Sequence, residues 1–156
     1  MNPTPLSEHS ALPERKRIID LLARASKAEL ETALEHIQPS PEYSTLRGPE
    51  TGLVMVRGRI GGGGSPFNLG EATMSRASVR LKDGTVGHGY RLGTDRRAVT
   101  LSAVFDALSQ DESHRKVVGQ TLLQVVSDRL TQEQKTRREE TAATKVDFFT
   151  MVRGED

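Results

Sequence analysis

Four consecutive glycines, Gly61, Gly62, Gly63 and Gly64, stand between two segments of strand character, with arginines on both sides: Arg57 and Arg59 before them, Arg76 and Arg91 after. Bare backbone amides and arginine forks both hold phosphate well. The order of residues is nonetheless wrong for the common nucleotide loops. A P-loop needs a Gly-Lys-Ser/Thr step that opens a helix, and a dinucleotide loop needs spaced glycines that open one. Here Ser65-Pro66-Phe67-Asn68 follows, and then another strand-like run. The glycines read as a connection between two strands that lets another backbone approach closely. A partner polypeptide is the expected visitor there.

Few other residues have the types and spacing for catalysis. The chain has no cysteine, which excludes disulfides, thiolate metal sites, iron–sulfur ligation and cysteine nucleophiles. His9, His36, His88 and His114 include no pair at the i, i+4 spacing of a helical metal site. Ser65, Ser75 and Ser78 lack the strand–nucleophile–helix setting. Glu71 is the one carboxylate in a weakly polar run beside the glycines, either a site residue or an ordinary strand charge. Expected contacts with an anion are Arg59, Gly61 to Gly64, Glu71, Arg76 and Arg91; no catalytic or metal-binding residue and no bound cofactor is expected.

These residues must be positioned by the elements around them. The 156 residues fit one domain, with residues 1–12 as an amino-terminal tail, 13–145 as the folded unit and 146–156 as a carboxy-terminal segment. Ile18, Leu22 and Ala25 recur at helical spacing, and Leu30, Leu34 and Ile37 mark a second helix over Ala28 to Ile37. Strand character follows in Glu42–Arg47 and Leu53–Ile60, with "GPETG" between them as a turn, then in two runs flanking Lys82-Asp83-Gly84. Thr94 or Asp95 can cap a helix with the stripe Ala98, Leu101, Val104, Phe105 and Leu108. A long helix near His114 presents Val118, Leu122, Val125, Val126 and Leu130, then turns polar all round. The expected class is α+β: a four-stranded antiparallel meander with helices from both ends of the chain on one face, and an apolar extended tail.

A two-residue turn at Asp83-Gly84 would pair Lys82 with Thr85, and so Val79 with His88 and Ala77 with Tyr90 on an apolar face. Arg76 would then oppose Arg91 on the other face, above a floor of Ser78, Gly87 and Gly89, with Arg57 and Arg59 nearby. Such a pair of like charges is either a solvated outer face or an anion site.

The carboxy-terminal run "VDFFTMVRGED" places Phe148, Phe149 and Met151 beside the end of the chain. Termini are ordinarily polar. These side chains must pack on the domain's own sheet or on another subunit, with the phenylalanines as anchors and Arg153 as a polar lock.

That run, together with "ETGLVMVRGRIGGGGSPFNLGEATMSRASVRL" and "DGTVGHGYRLGTDRRA", strongly resembles the PhnG family, subunits of the bacterial carbon–phosphorus lyase core complex. The likeness covers roughly Arg15 to Gly154. It departs from the family pattern at Gly63, Thr94 and Ile18-Ile19, where threonine, arginine and Trp-Met are usual. The resemblance implies a role with PhnH-, PhnI- and PhnL-like proteins in making ribose 1-methylphosphonate 5-triphosphate from MgATP and methylphosphonate during phosphonate catabolism. It implies chemistry held by the PhnI-like subunit, direct packing on that subunit, and a PhnJ-like radical enzyme in the same complex. The other class of function open to the residues is a stand-alone anion- or nucleotide-binding module using the glycines and nearby arginines. The mixed charge, net +1, gives no basic excess for nucleic acid. No apolar run reaches the roughly 20 residues of a membrane span, and a cytoplasmic location is expected.

Overall fold

A computed structural model describes residues 14–59 and 63–144. Helices α1 (Glu14–Arg24) and α2 (Lys27–Glu35) come first, followed by strands β1 (Tyr43–Gly58), β2 (Phe67–Leu81) and β3 (Val86–Leu92). Helix α3 (Arg96–Leu108) follows, then α4 (Glu112–Val118), a π-helical turn (Gly119–Leu123) and α5 (Gln124–Ala143). The strands form one antiparallel sheet in the order β1-β2-β3. The expected amino-terminal tail and carboxy-terminal segment lie outside the described residues.

Local chemistry sets the helix boundaries. Ser26 and Glu29 form a reciprocal capping box at α2. Asp95 caps α3 by accepting the Ala98 N–H at 2.9 Å. Asp111 does the same for α4 through His114 N–H.

Three strands are present among the described residues, where four were expected. "GPETG" makes no turn: β1 runs straight through it. Pro49 is tolerated because β1 is an edge strand, and register shifts between Thr45 and Arg47 and between Arg47 and Glu50 absorb the irregularity.

The core lies on one face of this sheet. Helix α3 is buried on nearly all sides, with Val99, Leu101, Val104, Phe105 and Leu108 fully inside. It rests against β2 and β3, while α1 and α2 cover its other side with Ile18, Leu22, Leu30 and Ala33. Contact with the sheet is unusually close at Gly87 and Gly89. A Cβ at Gly87 would stand 2.0 Å from Ala103 O, and one at Gly89 would stand 2.3 Å from Val99 O. Only glycine lets the helix backbone lie this near the strand.

The long carboxy-terminal helix buries Val118, Leu122 and Val126. A spacing of four residues drifts round a regular α-helix, and the wider π turn between them corrects the drift. Val125, expected on that face, is exposed. Beyond Leu130 the helix is polar and exposed at almost every position.

Candidate functional site

The turn joining β2 and β3 decides which residues share a face. Leu81 N–H donates to Thr85 O, and Gly84 has φ +94°. The loop therefore has three residues, Lys82, Asp83 and Gly84, with glycine in the left-handed position such a loop needs. The Asp83 carboxylate accepts Thr85 N–H at 2.8 Å and is held below its usual pKa by that contact. The register shifts by one residue from the two-residue expectation. Ser78 opposes His88, Arg76 opposes Tyr90, and Ser75 opposes Arg91.

Arg76 and Arg91 are thereby placed on opposite faces. Arg91 points inward, where its guanidinium donates to Leu22 O at 2.6 Å, to Ala25 O and to Ser102 Oγ. It closes the carbonyl end of α1 against α3. Burial pushes its pKa down, with Asp95 and Glu29 opposing. Gly87 and Gly89, expected as an open floor, lie beneath α3. His88, expected at the core edge, is on the outer face instead, with its Nδ1 2.9 Å from Ser78 Oγ.

The outer face gathers a different set. The pairs Ser44–Arg80, Arg47–Ser78–His88 and Glu50–Arg76–Tyr90 lie in successive rows across the strands. Arg76 Nε donates to Glu50 Oε1 at 2.9 Å, and Arg47 approaches the same oxygen at 3.3 Å. Arg80 has no ion-pair partner among the described residues. The next rows are apolar: Met74 with Leu92, then Val54 with Ala72 and Val56 with Gly70.

Past Met74 the sheet narrows, because β3 ends at Leu92 while β1 and β2 continue paired to Gly58 and Phe67. This two-stranded arm exposes Leu53 (63%), Met55, Val56, Phe67 and Leu69 (61%). Glu71 opposes Met55 within it, exposed. Arg57 opposes Asn68 near its tip, roughly 27 Å of strand from Arg76 at ~3.4 Å per residue. Arg59 follows the strand, exposed. Gly63 and Gly64 lie in the connecting turn; Gly61 and Gly62 are outside the described residues, as are Phe148, Phe149, Met151 and Arg153.

The arm and the outer arginine Arg47 escaped sequence reasoning. A signal was present: Leu53-Val54-Met55-Val56 is apolar at both parities, the pattern of a strand covered on both faces. The other face of the core holds a second buried polar centre. Asp106, 0% exposed, accepts Arg15 Nη2 at 2.8 Å and the His88 backbone N–H at 2.8 Å, while Gln110 Nε2 donates to Val86 O. These contacts seal part of the β3 edge and raise the Arg15 pKa.

Residues 13–154 match the family described as phosphonate metabolism protein PhnG. The chain belongs to the PhnG family. It is 55% identical, over 100% of its own length and 99% of the relative's, to a Rhizobium meliloti (strain 1021) protein named alpha-D-ribose 1-methylphosphonate 5-triphosphate synthase subunit PhnG. The PhnG match spans the arm and the outer arginines, so these are part of the family's common length. Among the described residues no helix is long and apolar enough to cross a membrane, and no three His, Asp or Glu side chains cluster as a metal site.

Proposed function

We propose that this chain is an assisting, non-catalytic subunit of the complex that makes alpha-D-ribose 1-methylphosphonate 5-triphosphate from MgATP and methylphosphonate. The identity to the Rhizobium meliloti subunit over the full length of both chains carries the reading. The exposed apolar arm supports it, since a lone two-stranded ribbon with apolar side chains on both faces is poorly stable in water. Catalytic groups are assigned to another subunit, a PhnI-like protein that packs directly on this chain. PhnH- and PhnJ-like subunits share the complex, and a PhnL-like protein acts with it in the cytoplasm. The test is adenine release from ATP in the presence of methylphosphonate. The full set of subunits turns over, the set lacking this chain loses most of its rate, and this chain alone gives none. Turnover by the isolated chain at a rate comparable to the full set would overturn the proposal.

A further inference from the structure

The helices cover one face of the sheet and leave the other bare. That bare face is divided. Arg47, Arg76 and Arg80 with His88 occupy one end, against the single carboxylate of Glu50. Leu92 (71% exposed) and Val56 occupy the other, with Tyr90 at the boundary in the row of Arg76. Neither half resembles a pocket for a small anion, because the arginines are exposed side chains on an open sheet face. Arginine, tyrosine and methionine beside exposed aliphatics are instead the composition of protein interfaces. From Arg80 to Gly70, the partner of Val56, β2 covers about 34 Å at ~3.4 Å per residue, and two to three strands are about 10–14 Å wide. The face therefore offers about 340–480 Å², roughly half of the ~800 Å² that each partner contributes to a stable interface.

We infer that the outer face of the sheet, from Arg80 to Val56, docks a surface of another subunit that presents carboxylates opposite Arg47, Arg76 and Arg80 and apolar side chains opposite Tyr90, Leu92 and Val56. The inference rests on the proposed role in a multi-subunit synthase and names the surface and chemistry of that contact. Charge selects this occupant. A second copy of the chain would set arginines against arginines in one orientation, or against Leu92 and Val56 in the other, and both leave buried charge unpaired. An acidic partner pairs Arg80 and completes Arg47 and Arg76, which share one carboxylate oxygen. Arginine forks suit that pairing.

Two substitutions at opposite ends of the face test this with little disturbance to the fold. Arg80→Glu removes no ion pair among the described residues, and Leu92→Asp alters a side chain with most of its surface in water. The tagged full-length chain is co-expressed with the PhnH-, PhnI- and PhnJ-like subunits and captured. Arg137→Glu with Arg138→Glu, on the exposed part of α5, is the control. The expected result is at least a tenfold fall in co-purified subunits for Arg80→Glu and for Leu92→Asp, with the control unchanged and circular dichroism spectra superimposable. Raising salt weakens capture by the wild type more than capture by Arg80→Glu. Capture at the wild-type level by both variants overturns this inference alone. So does intact capture with lost synthase activity, which makes the arginines a substrate-phosphate site. A wild-type homodimer dissociated by Leu92→Asp also overturns it, as does unfolding of the isolated chain by Leu92→Asp, which means the chain covers its own face. A wild-type chain that brings down none of the subunits overturns both this inference and the proposed function.

Discussion

Replacing Gly87 with alanine separates a packing requirement from a turn requirement. The added Cβ would meet Ala103 O at 2.0 Å, Ala107 N at 2.6 Å and Ala107 Cβ at 2.8 Å. Two of these atoms are helix backbone, so no side-chain rotation relieves the clash. Restoring ordinary contact moves α3 away from the sheet by about 1.4 Å. That helix carries Val99, Leu101, Val104 and Phe105 in the centre of the core, so the displacement loosens contacts on both of its sides. Overpacking of a core by one methyl commonly costs ~1–3 kcal/mol; with a whole helix displaced, ~3–5 kcal/mol is expected for Gly87→Ala. Total stabilities run ~5–15 kcal/mol, so the loss lowers the midpoint of thermal unfolding by on the order of 10 °C. Urea unfolding of the full-length chain, followed by circular dichroism with Gly119→Ala beside it, is the assay. Gly119 sits in right-handed helical backbone with no heavy atom near its missing Cβ, and alanine there gains ~0.5–1 kcal/mol. A Gly87→Ala protein within ~1 kcal/mol of the wild type would refute the close approach of α3 to β3.

The remaining predictions concern charged groups that hold the helices together. Arg91→Met leaves Ala25 O without its donor and Leu22 O with only the Ser102 hydroxyl, and is expected to cost ~2–4 kcal/mol; Arg91→Lys recovers less than half, because one ammonium cannot reproduce the fork, and wild-type stability for the lysine variant would refute the clamp. Glu29 receives Arg129 Nε at 2.8 Å and the Ser26 N–H at 2.6 Å, and its pKa is lowered, chiefly by Arg129. A folded-state pKa below the unfolded one stabilises fully above the ordinary glutamate pKa and less as pH falls through the folded value. The stability gap between wild type and Glu29→Gln is therefore larger at pH 7 than at pH 3 in matched urea titrations, and a gap independent of pH would refute the pairing.

The helices were legible because their stripes and caps act locally: Ile18 and Leu22, Leu30 and Leu34, and Asp95 ahead of α3 are all readable within a turn or two. The sheet was legible only in outline. Asp83-Gly84 marks a hairpin in any reading, but loop length depends on whether Gly84 alone takes a left-handed angle, and that one residue reverses the faces of Arg91 and His88. Pro49 between two glycines resembles a turn until its place on an edge strand is known. Arg91 looked like a ligand-binding charge because its acceptors, Leu22 O and Ala25 O, are backbone carbonyls that leave no trace in composition. The family signature named the chain's relatives from motifs in the loop and tail, whereas the surface proposed for docking is written in the alternation of β1, β2 and β3.

The anchors of α1 have a consequence for synthesis of the chain. Arg15 is held by Asp106, 91 residues later, Leu22 O by Arg91, 69 residues later, and Arg24 O by Arg129, 105 residues later. At ~5–20 residues per second, the first helix leaves the ribosome on the order of 5–20 s before the last of these partners exists. An 11-residue helix is too short to persist alone in water. Helix α1 is thus fixed only after these later partners are made, and its apolar stripe of Ile18 and Leu22 stays open to chaperones until α3 and α5 have been made.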